Sequence, residues 1–235
     1  PEVGQSACIE CVAGRYCDGS RDFVNGTACP PGNYCPSGSA EPEPCPAGTF
    51  NDRAQQTNQS SACLECPERY YCERESTNFT ETPCPAGRYC PNGTAHPDDF
   101  LCPEGTFSSA GSLAREDECT PCSLGYACPS RGLTEPEVAC YAGYYCSPAG
   151  RQDPNEETQQ CDAGYVCLGG SPTPRPTLET GGGYICPAGH FCVAGTTTAE
   201  ACPPGTYSTQ EGGANISTCL TCPAGRICAD AGMNH

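Results

Sequence analysis

Cysteine is the residue that most restricts the fold of this chain, since it occupies 25 of 235 positions. This density is typical of a disulfide scaffold, in which cross-links restrict the unfolded ensemble. Core-forming residues are scarce by comparison, with eight Leu, four Ile, six Val and six Phe. With a net charge of -17, such a composition would by itself indicate disorder, because too little apolar surface is available for burial. The sequence therefore predicts a small disulfide-rich fold with almost no helix.

Disulfides at this density persist in oxidising compartments, so we expect an extracellular or cell-surface location. Asn-x-Ser/Thr acceptor sequences for N-linked glycans support this expectation. Five are present, at Asn25, Asn58, Asn78, Asn92 and Asn215. No apolar run approaches the roughly 18 residues of a membrane span, so we expect no membrane insertion in this segment. The chain opens at Pro1 without a signal-peptide pattern, which favours a mature or excised segment.

The acidic balance of the chain excludes two classes of partner. There are 28 Asp and Glu but only 11 scattered Lys and Arg, whereas neutralising phosphates takes clustered cations. We therefore expect no nucleic-acid binding, and repulsion from an anionic membrane surface.

Two kinds of cysteine module recur along the chain. The short module is Cys-x5-Cys with an inner glycine and an aromatic residue. Its nine copies are CVAGRYC (11–17), CPPGNYC (29–35), CPERYYC (66–72), CPAGRYC (84–90), CSLGYAC (122–128), CYAGYYC (140–146), CDAGYVC (161–167), CPAGHFC (186–192) and CPAGRIC (222–228). Only the third lacks the glycine and has Arg69 in its place. The long module is Cys-Pro-x-Gly-Thr-Phe/Tyr, a polar loop and Cys-x2-Cys, and its three copies span 45–66, 102–122 and 202–222.

One long module followed by two short ones forms a larger repeat, with 55 to 56 residues between Cys8, Cys63 and Cys119. The third repeat is stretched to 100 residues, ending at Cys219, because it holds an additional pair of short modules. We divide the chain accordingly into a partial first repeat (1–44), a second repeat (45–101), an extended third repeat (102–201) and an incomplete fourth repeat (202–235). The widest loop, GGSPTPRPTLETGGG (169–183), lies in the third repeat, and its Pro and Gly content predicts an extended linker.

The residues of one module indicate how it folds. Glycine supplies a tight turn with positive φ beside the disulfide, and proline after cysteine pre-sets φ. We expect the aromatic residue before the second cysteine to lie over a neighbouring disulfide as a miniature core. Because each module is too small to fold by burial alone, we predict an elongated rod of tandem cysteine-rich modules with short β-hairpins and turns.

The spacing of the cysteines favours one disulfide pairing without proving it. In three tandem pairs the short modules are separated by a constant 18 residues, which suits interleaved first-to-third and second-to-fourth bonds, and the stretched pair at 161 and 186 would follow the same scheme. The predicted pairs are Cys11–Cys29, Cys17–Cys35, Cys66–Cys84, Cys72–Cys90, Cys122–Cys140, Cys128–Cys146, Cys161–Cys186 and Cys167–Cys192. The long modules would close on themselves through Cys45–Cys63, Cys102–Cys119 and Cys202–Cys219. Nested pairs fit the same spacings, and a Cys84–Cys90 bond would exclude the interleaved scheme.

This scheme leaves Cys8, Cys222 and Cys228 unpaired within the sequence. Cys8 lies in QSACIEC, which matches the end of a long module without its CPxGTF half, and Cys222 and Cys228 begin a short pair without its second half. We therefore expect these residues to be a window from a longer repetitive protein, or a subunit completed by its neighbour. An intermolecular disulfide at Cys8 is the alternative.

Residues that could carry chemistry do not form recognisable sites. The four Cys-x2-Cys motifs occupy the same place in each repeat, which favours structural disulfides over zinc or redox sites. His96, His190 and His235 lie in unrelated modules, so no catalytic triad is expected. Carboxylates at 98–99, 116–118 and 156–157 lack the pattern of a calcium loop and are interpreted as solvated charge, with weak calcium bridging as the alternative. We thus expect no catalytic, metal-binding or cofactor-binding residues and no enzymatic activity.

The modules resemble a known family of repeats. CPxGTF/Y, followed by about a dozen polar residues and CxxCPxG, is similar to the cysteine-rich repeats called ephrin-receptor-like and to the tumour-necrosis-factor-receptor type of module. The resemblance covers essentially the whole chain, apart from the doubled short module and the proline-rich insert. It implies an elongated ladder of small β-hairpins, and roles in receptor ectodomains or in large surface proteins of protists and algae, including the shafts of flagellar hairs (mastigonemes).

Two functions are compatible with these features. The first is a structural repeat segment of an extracellular glycosylated filament, appendage or surface stalk, which contacts neighbouring repeats or further copies of itself. It would carry N-linked glycans, with further sugar on SPTPRPT (171–177). The alternative is a ligand-binding receptor ectodomain, which an irregular apolar patch on a single repeat would favour. The candidate patch is in the stretched third repeat, at Tyr141, Tyr144, Tyr145 and Leu168.

Overall fold

A computed structural model of the chain describes residues 10–18 and 26–234. These residues form the predicted small disulfide-rich fold, with tandem modules built from short antiparallel hairpins and almost no helix. They divide into two compact units, one with residues up to 101 and residues 110–119, the other with residues 102–109 and 120 onward. Cys8, Asn25 and His235 lie outside the described residues. The division of the sequence into four repeats stays a prediction.

Twelve modules organise the described chain, and we number them by their first cysteines. These are Cys11, Cys29, Cys45, Cys66, Cys84, Cys102, Cys122, Cys140, Cys161, Cys186, Cys202 and Cys222. Positions 1 to 7 of a module are counted from this cysteine, so that a short module has cysteines at positions 1 and 7. Long modules have their first cysteine at position 1 as well.

The disulfides of the short modules close within each module, and the interleaved pairing is wrong. The observed pairs are Cys11–Cys17, Cys29–Cys35, Cys66–Cys72, Cys84–Cys90, Cys122–Cys128, Cys140–Cys146, Cys161–Cys167, Cys186–Cys192 and Cys222–Cys228. Cys222 and Cys228 were predicted to be unpaired and instead bond to each other. The turn between positions 1 and 7 explains the closure, because it brings the two Cα atoms of Cys84 and Cys90 to 5.8 Å, a normal disulfide separation.

The long modules close as predicted where the pairs are described. Cys45 bonds to Cys63 and Cys202 bonds to Cys219. Cys102 and Cys119 are both disulfide-bonded, and their pairing stays a prediction. Position 7 of a long module has no cysteine and holds a buried polar residue instead, Asn51, Ser108 or Ser208. A long module is therefore a short module whose first cysteine takes a partner further along the chain.

A tight turn occupies positions 2 to 5 of each module. In module 3 the amide of Thr49 donates to the carbonyl of Pro46, and Gly48 between them has a φ of 85°. This positive φ at the third residue is that of a type II turn, which glycine adopts without strain. The predicted glycine turn is thereby confirmed.

Residues at positions 5 and 6 pair with the two residues that precede the next module. Eight antiparallel hairpins result. They are β1 (Arg15–Tyr16) with β2 (Thr27–Ala28), β3 (Asn33–Tyr34) with β4 (Glu43–Pro44), β5 (Thr49–Phe50) with β6 (Leu64–Glu65), β7 (Thr106–Phe107) with β8 (Thr120–Pro121), β9 (Tyr126–Ala127) with β10 (Val138–Ala139), β11 (Tyr165–Cys167) with β12 (Gly183–Ile185), β13 (His190–Phe191) with β14 (Glu200–Ala201), and β15 (Thr206–Tyr207) with β16 (Leu220–Thr221). Single bridges take the same place in modules 4, 5 and 8.

Helical structure is confined to single turns in the loops. The α-helix α1 spans Gln59–Ala62, and 3-10 turns span Glu116–Glu118, Glu157–Gln159 and Ile216–Thr218. Asn58 caps α1, since its side-chain oxygen accepts a hydrogen bond from the amide of Ser61 at 3.0 Å. Such caps satisfy amides that a short helix leaves without a partner.

Backbone hydrogen bonds join each module to the next in a recurring pattern. In module 8, the amide of Gly143 donates to the carbonyl of Cys167 at position 7 of module 9, and the carbonyl of Gly143 accepts from the amide of Cys161. The carbonyl of Cys140 at position 1 accepts from Gly170 in the loop of module 9. Because the same three bonds recur between most successive modules, one local geometry is propagated along each unit.

Contacts also reach the module after next, beyond the nearest neighbours that the sequence predicts. A Cβ on Gly143 of module 8 would lie 2.6 Å from the carbonyl oxygen of Gly195, in the loop of module 10. Equivalent close approaches occur in modules 1, 2, 3, 6, 7, 9 and 10. Glycine at position 4 is thus required twice, by the turn and by the stacking of alternate modules.

Arg69 replaces this glycine in module 4 and still adopts a φ of 77°. Its Nη1 donates to the carbonyl oxygen of Ser112 at 2.6 Å, and its Nη2 lies 3.0 Å from Oε1 of Glu118. Ser112, with a φ of 61°, is the loop residue of module 6 that would approach a glycine closely. The side chain of Arg69 therefore forms a hydrogen bond with the carbonyl that the α-carbon of a glycine would approach closely at this position.

Residues at position 6 form three small cores on neighbouring disulfides, but none of them is the predicted aromatic residue before the second cysteine of a short module, and that packing stays a prediction. Phe50 packs against Cys66 and Cys72 of the next module, with Tyr70 and Phe79 around it. The side chains of Ala127 and Val166 pack in the same way on the disulfides of modules 8 and 10. Each core is small, so the burial of one aromatic or aliphatic side chain on one disulfide is the repeated unit of packing.

Candidate functional surfaces

Three glycan acceptors lie in exposed polar loops with a common local geometry. Asn58, Asn78 and Asn215 each accept a hydrogen bond at Oδ1 from the backbone or hydroxyl of the residue two positions on. For Asn78, the amide and hydroxyl of Thr80 both donate at 2.9 Å. This Asx turn presents the asparagine on a bend while its hydroxyl partner stays at the surface. The three asparagines take no part in the module ladder, the recurring set of backbone hydrogen bonds that joins one module to the next.

The acceptor at Asn92 differs, because it is part of the scaffold. Its Oδ1 accepts from the amide of Glu68 at 2.7 Å in the preceding module. Thr94 is buried, with 1% of its surface exposed, and its hydroxyl donates to Pro91. The carbonyl of Thr94 accepts from Cys72 in the ladder. Both polar residues of this acceptor sequence thus have structural roles in the folded protein.

The carboxylate clusters found in the sequence are largely satisfied by arginines. Asp98 pairs with Arg88, Glu118 with Arg69 and Glu156 with Arg151. Asp99 accepts hydrogen bonds from the backbone of the turn that precedes it. These contacts bring each cluster back onto its own module or, for Glu118, onto the module two before it. Among the described residues, no group of three His, Cys, Asp or Glu side chains could hold a metal ion.

The proline-rich insert folds back on the hairpin of module 9, and the prediction of an extended linker is wrong. Pro176 is fully buried and lies against Gly183, where a Cβ would be 2.6 Å from the proline Cγ. Arg175 contacts Asp162 at 2.5 Å, and this carboxylate raises the pKa of the guanidinium through its hydrogen bond and charge. Ser171 is also buried, which removes one of the candidate sugar acceptors from the surface.

A tight turn at the tip of the insert displays Leu178. The amide of Thr177 donates to Oγ1 of Thr180 at 2.7 Å, and the amide of Gly181 donates to the carbonyl of Thr177 at 3.0 Å. Leu178 stands on this turn with 89% of its surface exposed. A large aliphatic side chain is thus held away from every core by an ordered loop.

A groove of about 600 Å³ lies beside this turn, lined by Thr177, Leu178, Glu179, Tyr184, Ile185 and Glu211. We call it the insert groove. Its apolar wall comes from the insert and β12, and Glu211 comes from the loop of module 11. Within the described part of the chain, Glu179 and Glu211 form no ion pair. The groove therefore combines apolar surface with two free carboxylates.

The structure places the predicted patch residues in several settings. Tyr141 and Leu168 are exposed by 53% and 59%, whereas Tyr144 and Tyr145 are half-buried and belong to the module ladder. None of the four lines the insert groove. Sequence reasoning missed Leu178, Tyr184 and Ile185. The sequence signal that could have indicated these residues was the insert, because the insert interrupts the repeat.

The remaining candidates for chemistry lie apart from one another. Nδ1 of His96 lies 3.8 Å from a carboxylate oxygen of Asp98 in an exposed loop. A ring nitrogen of His190, at module position 5, lies 3.2 Å from the carbonyl of Ala188. No helix in the described ranges has the length and apolar composition needed to cross a membrane.

Comparison with known proteins gives no match: no protein-family profile and no curated protein corresponds to this chain. The disulfide density and the module geometry are those of a stable cysteine-rich protein of the extracellular or secreted class.

Proposed function

We propose that this chain is a structural repeat segment of an extracellular glycosylated filament, appendage or surface stalk. The observation that carries the proposal is the recurrence of one module interface, with the same three backbone bonds and the same contact to the module after next. Quasi-one-dimensional arrays gain length by adding units without changing the interface. Such an arrangement suits a part whose task is to span distance and resist proteases.

The interface can extend beyond the modules described. In module 12 the Gly225 position has no neighbour within 4 Å, and Ile227 at position 6 is 85% exposed. The equivalent Val166 of module 9 is fully buried by the following module. A further module of the same kind, in the same chain or in another copy, would cover Ile227. A heterologous contact of this type generates a fibre when it does not close.

Electron microscopy of native, unreduced material tests this proposal. We expect filaments whose axial repeat is commensurate with one or a few modules, with extra density at Asn58, Asn78 and Asn215. Short particles that stay monomeric at all concentrations would contradict filament formation. A surface stalk or a receptor ectodomain would then be the remaining functions.

A ligand-binding receptor ectodomain is the second candidate function. The insert groove favours it, because this apolar surface interrupts the module repeat and belongs to one place in the chain. Binding of a protein ligand at this groove is the property that would distinguish the two functions.

A further inference from the structure

We propose that the insert groove binds a protein loop that carries an aliphatic or aromatic side chain next to an arginine or lysine. The proposal rests on the second candidate function and names the chemistry of its ligand. Three features of the groove support it: its ordered walls, its exposed apolar surface and its unpaired carboxylates.

The walls of the groove are held by the fold before any ligand arrives. β11 and β12 fix Tyr184 and Ile185 through three paired residues, and the amide of Leu168 bonds to Gly182 across the base of the insert. On the opposite side, Gly212 donates to the carbonyl of Cys186 at 2.7 Å and anchors the loop that carries Glu211. A preformed site loses less conformational entropy on binding than a mobile loop would.

The exposed apolar surface of the groove is the reason to expect an aliphatic or aromatic side chain on the ligand. Leu178 is 89% exposed and Ile185 is 37% exposed, on the same groove. By contrast, Val166 on the paired strand β11 is buried on a disulfide. An apolar side chain seated between Leu178 and Ile185 would remove both from water, which is the main source of affinity in such sites.

The two carboxylates of the groove are the reason to expect an arginine or lysine on the ligand. Glu179 and Glu211 line the groove without a cation, whereas the arginines of the same unit at 151 and 175 already pair with Glu156 and Asp162. A cation on the ligand would form ion pairs with these carboxylates. The same two carboxylates would repel phosphate or an acidic peptide. The site therefore selects against anionic ligands. Two carboxylates are also too few for a protein metal site of the usual kind.

Three short peptides provide the test. The first has both apolar and cationic side chains, the second has only the cationic side chains, and the third has the apolar side chains with the opposite charge. The probes are acetyl-Arg-Leu-Leu-Arg-amide, acetyl-Arg-Gly-Gly-Arg-amide and acetyl-Glu-Leu-Leu-Glu-amide, titrated into the disulfide-intact chain with labelled methyl groups. We expect saturable NMR shifts at the methyls of Leu178 and Ile185 with the first peptide alone. The chain has a net charge of -17, so the glycine peptide controls for diffuse attraction of a cation.

Matched variants assign the binding to the groove. We expect Leu178→Ser to weaken binding about tenfold and Glu211→Gln about threefold. Leu124→Ser and Glu135→Gln change exposed residues outside the groove in the same unit and should leave binding unchanged. An unchanged amide spectrum in each variant shows that the modules remain folded.

Several results would overturn the proposal. Equal binding of the glycine peptide, or no loss with Leu178→Ser, would show that charge alone attracts the ligand. Concentration-dependent shifts at these methyls without peptide would make a second copy of the chain the occupant. Shifts that cluster at the methyls of Leu168 would exclude the groove while leaving the receptor function standing. Filament formation is decided separately by electron microscopy.

Discussion

At the residue scale, position 4 of the module determines how closely alternate modules approach. The residue there has positive φ in every described module, and in modules 1 to 3 and 6 to 10 its α-carbon faces the carbonyl of a loop residue two modules on. Glycine satisfies both requirements because it has no Cβ. Arg69 satisfies them differently, with a left-handed backbone and a guanidinium that binds the facing carbonyl.

Substitution of two matched glycines separates the turn from the stacking contact. Gly143 and Gly205 both have a φ of 87°, but a Cβ on Gly143 would meet Gly195 whereas one on Gly205 would meet nothing within 4 Å. We expect both alanine variants to lose about 1 kcal/mol from the left-handed turn, and Gly143→Ala to lose at least about 1 kcal/mol more from overlap.

Hydrogen exchange of the amides bonded to these glycines measures the difference. The amide of Cys161 donates to Gly143, and that of Cys222 donates to Gly205. Faster exchange at Cys161 in Gly143→Ala than at Cys222 in Gly205→Ala is the expected result. Equal acceleration would contradict a role for alternate-module stacking.

Substitution of Arg69 tests the replacement of glycine. Arg69→Ala keeps the left-handed backbone and removes the bond to Ser112, so we expect a loss of about 1–2 kcal/mol. Arg69→Gly also removes the bond but relaxes the backbone, and should lie between the alanine variant and the natural protein. Arg53, which makes only an exposed pair with Asp52, is the control and should change stability by less than about 0.5 kcal/mol.

Denaturant unfolding with the disulfides intact measures these differences. A glycine variant less stable than the alanine variant would show that the left-handed backbone at Arg69 carries no strain.

At the element scale, the disulfide of a short module locks one turn and leaves the next module free. A loop of this length restricts the unfolded chain by roughly 2 kcal/mol, and the longer loop of a long module by roughly 3 kcal/mol. The interleaved pairing would have tied neighbouring modules together covalently. In the observed pairing, backbone bonds and packing on disulfides couple the modules instead.

Tryptic mapping of the unreduced chain tests the pairing directly. Cleavage after arginines 69, 74, 88 and 115 separates Cys66, Cys84 and Cys90 into different peptides. Because Cys84 bonds to Cys90, we expect peptide 75–88 to be linked to peptide 89–115. A link between 54–69 and 75–88 would instead support the interleaved bond Cys66–Cys84. Blocking free thiols in acid before digestion prevents exchange.

The loop elements also predict which glycan acceptors are used. Asn58, Asn78 and Asn215 lie in exposed Asx turns, whereas Asn92 and Thr94 take part in the contact between modules 4 and 5. We expect high occupancy at the first three and lower occupancy at Asn92, because folding of the module competes with modification. Enzymatic glycan release in heavy-oxygen water, after secretion from eukaryotic cells, marks each occupied asparagine. Equal occupancy at Asn92 would contradict this competition.

At the scale of the whole molecule, stability depends on many small cores and cross-links. The buried apolar residues are mostly cysteines, joined by a few side chains such as Phe50, Val166 and Phe191. No core of this size would offset the conformational entropy of 235 residues without disulfides. Among the described residues, Leu178 has the highest exposed fraction of the large hydrophobic side chains, 89%.

Complete reduction should therefore unfold the chain under otherwise native conditions. We expect reduction and alkylation to remove hydrogen-exchange protection and to give a radius of gyration near that of an unfolded chain, about 53 Å. Alkylation without reduction is the control and should change neither quantity. Small-angle X-ray scattering measures the radius, and retained protection after reduction would show that packing alone maintains the modules.

The sequence by itself determined the class of fold, the module boundaries and the glycine turn. Each of these follows from residue types at fixed local spacing, which a repeat makes visible. The tertiary structure decided the pairing of short-module cysteines, because a constant spacing of 18 residues fits several schemes and only the turn geometry brings Cys84 beside Cys90. It also decided that the insert folds back and that Leu178 and Glu211 line one groove, since the placement of distant loops depends on how modules stack.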